Sequence, residues 1–353
     1  HFTATCGEEI YRGDRLPEDL RGDLLFSEPV GRLIRRSKVE VKDGITYLSN
    51  AHPGSEFIRS TDPNFRAMNM VNAPDGTLYI VDMYREIIED YSAIPRFLQQ
   101  QYGLNKGERR GRIWRMLPDD SKRGSTQRRT SNNLVQLDDD ELVSVLESPS
   151  GWKRRMAQHL LIERKAEESA TTLASMIHSK ADPNTCLHAL YTLNGLRHLE
   201  GIVVLEGLKH PHFRVRIHSL RLSERWLDSD ELVRSHVLGM LGDDDPSVRL
   251  QLAMSLGHSN HSDVTRALAE MGQRYGDERW MDAALLSCDQ LLSVNPNHSY
   301  ALAVKANILT RAGRFIEAID AIEKSIDLEP NYSPPYVVAI SAFCYYNDVP
   351  NAV

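Results

Sequence analysis

The chain has 353 residues, 41% hydrophobic and 26% charged, and its formal net charge is −7. That is a core-forming balance, and it argues against a general nucleic-acid binder, which needs a concentrated basic surface to neutralise phosphates. No apolar run reaches the roughly 18 residues of a membrane-spanning helix. Cys6, Cys186, Cys288 and Cys344 are scattered, without a Cys-x-x-Cys, and read as isolated thiols rather than a disulfide framework or a zinc site. The chain opens on His1 with no leader pattern, as a fragment or processed chain would.

Residues 1–117 predict short strands separated by Gly, Pro and Asp turns, without long helices between them. After the turn-rich stretch 11–23, strands are expected around Leu24–Phe26, Gly31–Ile34, Val39–Val41, Ile45–Leu48 and Phe57–Ile58. Ala67–Val71 and Leu78–Met83 flank Pro74-Asp75-Gly76 and predict an antiparallel hairpin. Leu78-Tyr79-Ile80-Val81 lacks polar alternation and should be covered on both faces. A short helix is expected within 94–103, and Gly111–Met116 reads as a closing strand. Asp82 ends an apolar strand with a carboxylate, which either caps the next turn or sits at the mouth of a site.

Several ordered motifs carry a resemblance: Tyr11-Arg12; Arg21-Gly22-Asp23 with Ser27-Glu28-Pro29-Val30-Gly31; Phe65-Arg66; Pro74-Asp75-Gly76 through Asp82-Met83-Tyr84-Arg85 to Glu89; and Arg110-Gly111-Arg112-Ile113. In this order they resemble the end of the propeller in the planctomycete-type membrane-bound dehydrogenases, a haem-binding, quinoprotein-like family. The resemblance implies the last blades of a β-propeller followed by HEAT repeats. It implies oxidation of a sugar or alcohol, in a periplasmic or cell-envelope setting, with electrons passed to a c-type cytochrome. Pyrroloquinoline quinone and Ca²⁺ are the implied cofactors, since such sites use arginines for quinone carboxylates and oxygen ligands for a hard cation. Arg66, Asn69, Asp82 and Arg85 are the candidate cofactor-binding residues. Strand alternation from Arg66 puts Asn69 on the opposite face, and an Asp–Arg pair that merely fixes a blade corner is the competing reading. The family's Cys-x-x-Cys-His haem box is absent from this sequence.

Residues 118–137 read as a polar linker, because sixteen successive positions from Pro118 lack any apolar side chain to offset chain entropy. From Asp138 to 288, apolar residues recur at helical spacing around Pro149, Pro183, Pro211 and Pro246. Each unit reads helix, turn, helix, with a small residue (Ala157, Ala189, Ser219, Ala253, Ala284) on the second helix, as stacked HEAT-like pairs require. His210, His212, His218, His258 and His261 invite a metal-ligand reading, but are expected as exposed loop residues. Residues 289–353 resemble tetratricopeptide repeats: Asn295-Pro296-Asn297 and Glu329-Pro330-Asn331 bracket Gly313 and Ala318, and Tyr336–Tyr346 begins a further helix.

The expected fold class is therefore multidomain β then α, a partial β-propeller followed by a HEAT/TPR-type α-solenoid. Two functions follow. One is the C-terminal portion of a propeller dehydrogenase whose helical arm docks a redox partner. The other is a non-catalytic interaction scaffold, since the chain carries no nucleophile–base pair, phosphate loop or metal cluster that would make this segment an enzyme alone. A protein partner through the repeats is expected under both.

Overall fold

The computed structural model describes residues 2, 4–86, 94–104, 106–118, 133–178, 181–259, 261–276, 278, 281, 302, 305–306, 309 and 315–328. Most of the polar stretch 118–137, the expected helix 336–346, Cys288, Cys344, Ala284 and Gly313 lie outside them.

The strands are β1 (Cys6–Ile10), β2 (Leu24–Glu28), β3 (Leu33–Lys42), β4 (Ile45–Asn50), β5 (Ile58–Arg59), β6 (Ala67–Asn72), β7 (Leu78–Asp82) and β8 (Arg112–Met116). They form a five-stranded sheet ordered β1-β2-β3-β4, with β5 also on β3, and a three-stranded sheet ordered β6-β7-β8. Neither sheet closes on itself. The β3–β4 turn is Asp43-Gly44, both at positive φ (52° and 73°), the geometry of a two-residue hairpin whose twist matches its strands. The two strands expected at 31–34 and 39–41 are one. Arg36, in the polar stretch between them, is buried through pairing with Asp23, so the strand continues across it.

One core serves both sheets. Tyr11, Leu25, Ile34, Met70, Leu78 and Ile80 pack together with Leu16, Leu20, Phe65 and Ala67. The Tyr11 hydroxyl donates to the Gly76 carbonyl at 2.6 Å and accepts from the backbone N–H of Leu16 (2.9 Å) and Arg15 (3.2 Å). The Asn72 amide oxygen accepts from Arg12 N at 2.7 Å, while its nitrogen donates to Ile10 O at 2.9 Å and to Glu9. These bonds join β6 to β1 where a core of apolar contacts alone would leave buried polar groups unpaired. At Gly7, a Cβ would lie 2.4 Å from Met68 O, so β1 reaches β6 only because no side chain intervenes.

The helices are α1 (Arg96–Gln101), α2 (Asp139–Val145), α3 (Gly151–Arg164), α4 (Ala170–Ser175), α5 (Pro183–Leu196), α6 (Gly201–Leu208), α7 (Phe213–Ser223), α8 (Glu231–Leu238), α9 (Pro246–Leu256), α10 (Ser262–Tyr275) and α11 (Phe315–Leu328). Their starts follow from local chemistry. Asp138, Ser150, Asp182, Asp230 and Asp245 each accept a backbone N–H of the first turn, and Pro183 and Pro246 occupy the opening helical positions. Asp138 and Glu141 form a reciprocal capping box.

The chain is thus β then α. Packing divides it into two compact units, residues 1–42 with 46–169, and residues 43–45 with 170–353. The helix pair α2–α3 therefore groups with the sheets, although the composition places the linker before it. The backbone N–H of Gly151, opening α3, donates to Arg12 O at 2.9 Å, and a Cβ there would meet Arg12 at 2.9 Å. In the second unit α5 packs on α7 and α7 on α9, while α6 packs on α7 and α8. Ala189, Ser219 and Ala253, on the second helices, are fully buried, as is Ala157 on α3. Gly207 of α6 faces Ser219 so closely that a Cβ would fall 2.1 Å from its Oγ. At the far end, Leu302 and Ala306 pack on Ala321 and Ile322 of α11.

Candidate functional site

Asp82 closes β7, where alternation turns Leu78, Ile80 and Asp82 inward and leaves Tyr79 and Val81 half-buried. The strand expected to be covered on both faces is thus fully covered on one. Asp82 is 1% exposed, and both of its carboxylate oxygens are engaged. Oδ1 accepts the backbone N–H of Arg66 and of Tyr84, each at 2.9 Å. Oδ2 accepts the Trp114 indole N–H at 3.0 Å and lies 3.9 Å from Arg112 Nε. A buried carboxylate is tolerated when its lone pairs are filled and a cation is near. Here three N–H donors bond to it and Arg112 supplies the nearby cation.

The Asp82–Tyr84 bond has a local consequence. It is an Asx turn, and it carries Tyr84 into the left-handed region at φ 52°. Arg112 then stacks its guanidinium 3.6 Å from the Tyr84 ring centroid, an arrangement worth about 0.5–2 kcal/mol.

Arg66 is 8% exposed. One terminal nitrogen donates to Phe65 O at 2.8 Å and the other to Glu86 O. Burial, and then the neighbouring Arg32, lower its pKa from the usual arginine value. Asn69 is exposed, and its side-chain oxygen accepts from Met70 N at 2.8 Å. A bulge between Ala67 and Asn69 resets the strand, so Met70 and Asn72 turn inward. Asn69 pairs with Val81, the residue before Asp82, which places Asn69 and Asp82 on opposite faces of the sheet. Arg85 is half-buried and makes no hydrogen bond or ion pair among the described residues.

The four candidates therefore do not assemble into a cradle. Asp82 already accepts three N–H donors beside Arg112, and both terminal nitrogens of Arg66 donate to main-chain carbonyls. Among the described residues no group of three or more His, Cys, Asp or Glu side chains could hold a metal ion. These residues do not fit a quinone–Ca²⁺ pair. Sequence reasoning quoted Arg112 but missed Tyr84 and Trp114 as partners of Asp82. The strand pair Asp82 with Arg112 would have pointed to Trp114, two residues on along the same face.

Of the five histidines only His258 is exposed as expected, and only His218 lies within a helix. His210 is buried; its Nδ1 accepts from His212 N at 3.0 Å, and its Nε2 faces Ala181 O at 3.4 Å. His212 and His261 cap α7 and α10 through Nδ1, and His218 Nδ1 pairs with the Tyr191 hydroxyl at 2.8 Å. His258 is the exposed one, 3.8 Å from Glu224. Cys6 and Cys186 are free thiols, each with its pKa raised chiefly by burial.

In the helical unit the side chains with most bonds are arginines. Arg216 makes a two-point bond to Asp243, both at 2.8 Å, and also donates to the carbonyls of His210 (3.0 Å) and Pro211 (2.8 Å). Arg249 repeats this with Glu278 and the Asp243 carbonyl. Each arginine thus ties the turn before its own helix to a carboxylate that follows the first helix of the next pair. Between α6 and α8 an open cleft of about 360 Å³ is lined by Leu208, Lys209, Ser235, His236, Gly239 and Met240. Ile202 and Leu232, on the same two helices, are exposed. No helix of the described residues is long and apolar enough to cross a membrane.

Residues 1–120 match a family model described as a domain of unknown function, DUF7133. No curated protein and no solved structure matches the chain.

Proposed function

We propose that this chain is a protein-docking arm, in which HEAT-like helix pairs, continued by tetratricopeptide-like repeats, form a solenoid carried on propeller-type blades. The observation that carries this reading is the repeated stacking of α5, α7 and α9 with arginine ties from unit to unit, beside the cleft between α6 and α8. A stack of helix pairs presents a long surface at low cost, because each unit needs only its neighbours for stability. A cleft in which Leu208 and Met240 alternate with Lys209, Ser235 and His236, flanked by exposed Ile202 and Leu232, suits a helical or extended peptide that carries apolar side chains. Screening a peptide array with the labelled chain tests this. The expected result is a set of apolar peptides whose binding is lost in Met240→Glu; binding that no cleft substitution alters would overturn it.

The second reading is the end of a quinoprotein-like dehydrogenase whose arm docks a c-type cytochrome. What favours it is that the matched span 1–120 coincides with the motif-bearing stretch expected to be one module, 1–117. Its cofactor contacts would come from residues other than Arg66, Asn69, Asp82 and Arg85. Calorimetric titration of the chain with pyrroloquinoline quinone and Ca²⁺ separates the two readings. No saturable binding is expected of the docking arm, and saturable binding of the quinone that requires Ca²⁺ would favour the dehydrogenase.

A further inference from the structure

The outermost strand of the three-stranded sheet is β8, hydrogen-bonded to β7 alone among the described residues. Among the described residues no main-chain group pairs with its other edge. Proteins normally protect such an edge with Pro, Lys, a bulge or a covering segment. β8 has no Pro or Lys, its two charged residues are engaged elsewhere, Arg112 at Asp82 and Tyr84 and Arg115 at Asp75, and its register with β7 is unbroken over five pairs, from Leu78 with Met116 to Asp82 with Arg112. It also exposes apolar surface: Ile113 is 68% and Trp114 46% exposed, with Leu117 beyond the strand and Val71 across the sheet exposed as well.

The charge leading into and along this edge is predominantly basic, with Glu108 the one acid among residues 108–116. Arg109, Arg110, Arg112 and Arg115 fall within seven residues. Arg112 lies against Tyr84 and Asp82, and Arg115 pairs with Asp75. Arg109 and Arg110 are exposed and have no ion pair among the described residues. In a chain of net charge −7, an acidic ligand meets attraction at this edge and repulsion over much of the remaining surface. The rigid Trp114, held at its indole nitrogen by Asp82, offers a flat apolar contact on one face, and Ile113 offers another on the opposite face.

We propose that the free edge of β8 docks an extended acidic peptide, which adds to the sheet as a further strand. Main-chain bonds to β8 supply the pairing. Apolar side chains lie against Ile113 or Trp114, and carboxylates meet Arg109 and Arg110. This site is separate from the helical cleft and does not depend on it.

The test uses the full chain and a short fluorescent peptide of alternating valine and glutamate, followed by anisotropy. Binding is expected, weakening with salt. Reversing both free arginines (Arg109→Glu with Arg110→Glu) should lower affinity about ten-fold, the scale of a few exposed ion pairs lost and reversed. Ile113→Lys, at an exposed position that leaves the melting curve unchanged, should weaken binding as well, and Met240→Glu should leave it intact. Methylating alternate backbone nitrogens of the peptide, in one of the two possible phases, should abolish binding. Equal binding by both methylated peptides would mean a charged patch and no strand addition. Absence of binding, or self-association of the chain that Ile113→Lys abolishes, would also overturn the proposal, the latter in favour of a second copy on this edge.

Discussion

Asp82 shows how one buried carboxylate can organise a corner of a sheet. It joins the start of β6, the turn after β7 and a side chain of β8 through three N–H donors. Replacing it with alanine leaves those partly buried donors without their acceptor, at a cost of about 2 kcal/mol. Urea denaturation of Asp82→Ala should show this as a lowered midpoint with little change in slope. Asp82→Asn keeps an oxygen for the two backbone donors but turns an amide towards the Trp114 indole or Arg112, and should fall between the two. The sequence left both roles of this carboxylate open, a turn cap or the rim of a site. The choice depends on Trp114, thirty-two residues away, which no local pattern reveals. Tyr11 makes the same point, since its three bonds reach Gly76 as well as its own turn.

At the level of elements, helix starts were the most legible feature, because a cap is a contact between residues two or three apart. Proline at the first helical position and aspartate before it mark α5 and α9 in the sequence as in the structure. The histidine caps were missed because histidine is an uncommon acceptor there, and it serves only with Nδ1 unprotonated. This makes α7 sensitive to acid. Burial first, then Arg214, His210 and Arg216, lower the His212 pKa below the ordinary value of 6.5, with Asp182 opposing. His218 is also lowered, first by burial and then by Arg221 and Arg214. A histidine whose folded pKa is depressed stabilises the fold above its unfolded value, and that contribution is lost as pH falls through the folded value. Thermal unfolding followed by circular dichroism should therefore show the helical unit losing stability between about pH 7 and about pH 5, the range in which histidine titrates. His212→Asp should remove part of that dependence while retaining about 1 kcal/mol of capping.

At the level of the molecule, composition and packing give different boundaries. The longest polar run begins at Pro118, yet the first compact unit extends to Ser169 and includes α2 and α3. Leu142, Leu146, Ala157 and Leu161 of that pair are fully buried, and Gly151 bonds to Arg12. A fragment of residues 1–169 should accordingly unfold in one cooperative transition by calorimetry. A fragment ending at residue 118 should melt at lower temperature or lose cooperativity, and equal stability of the two would show that the helix pair contributes nothing to the sheets.

The order β then α, the hairpin around Pro74–Gly76 and the positions of the helices could be read from neighbours along the chain, since turns, caps and periodicity are contacts over a few residues. Which carboxylate is consumed by structure, where the bulge at Ala67–Asn69 resets a strand, and which helices belong with the sheets all rest on partners tens of residues apart. Those pairings follow from the closing of a shared core, which leaves a buried donor or acceptor no water to turn to.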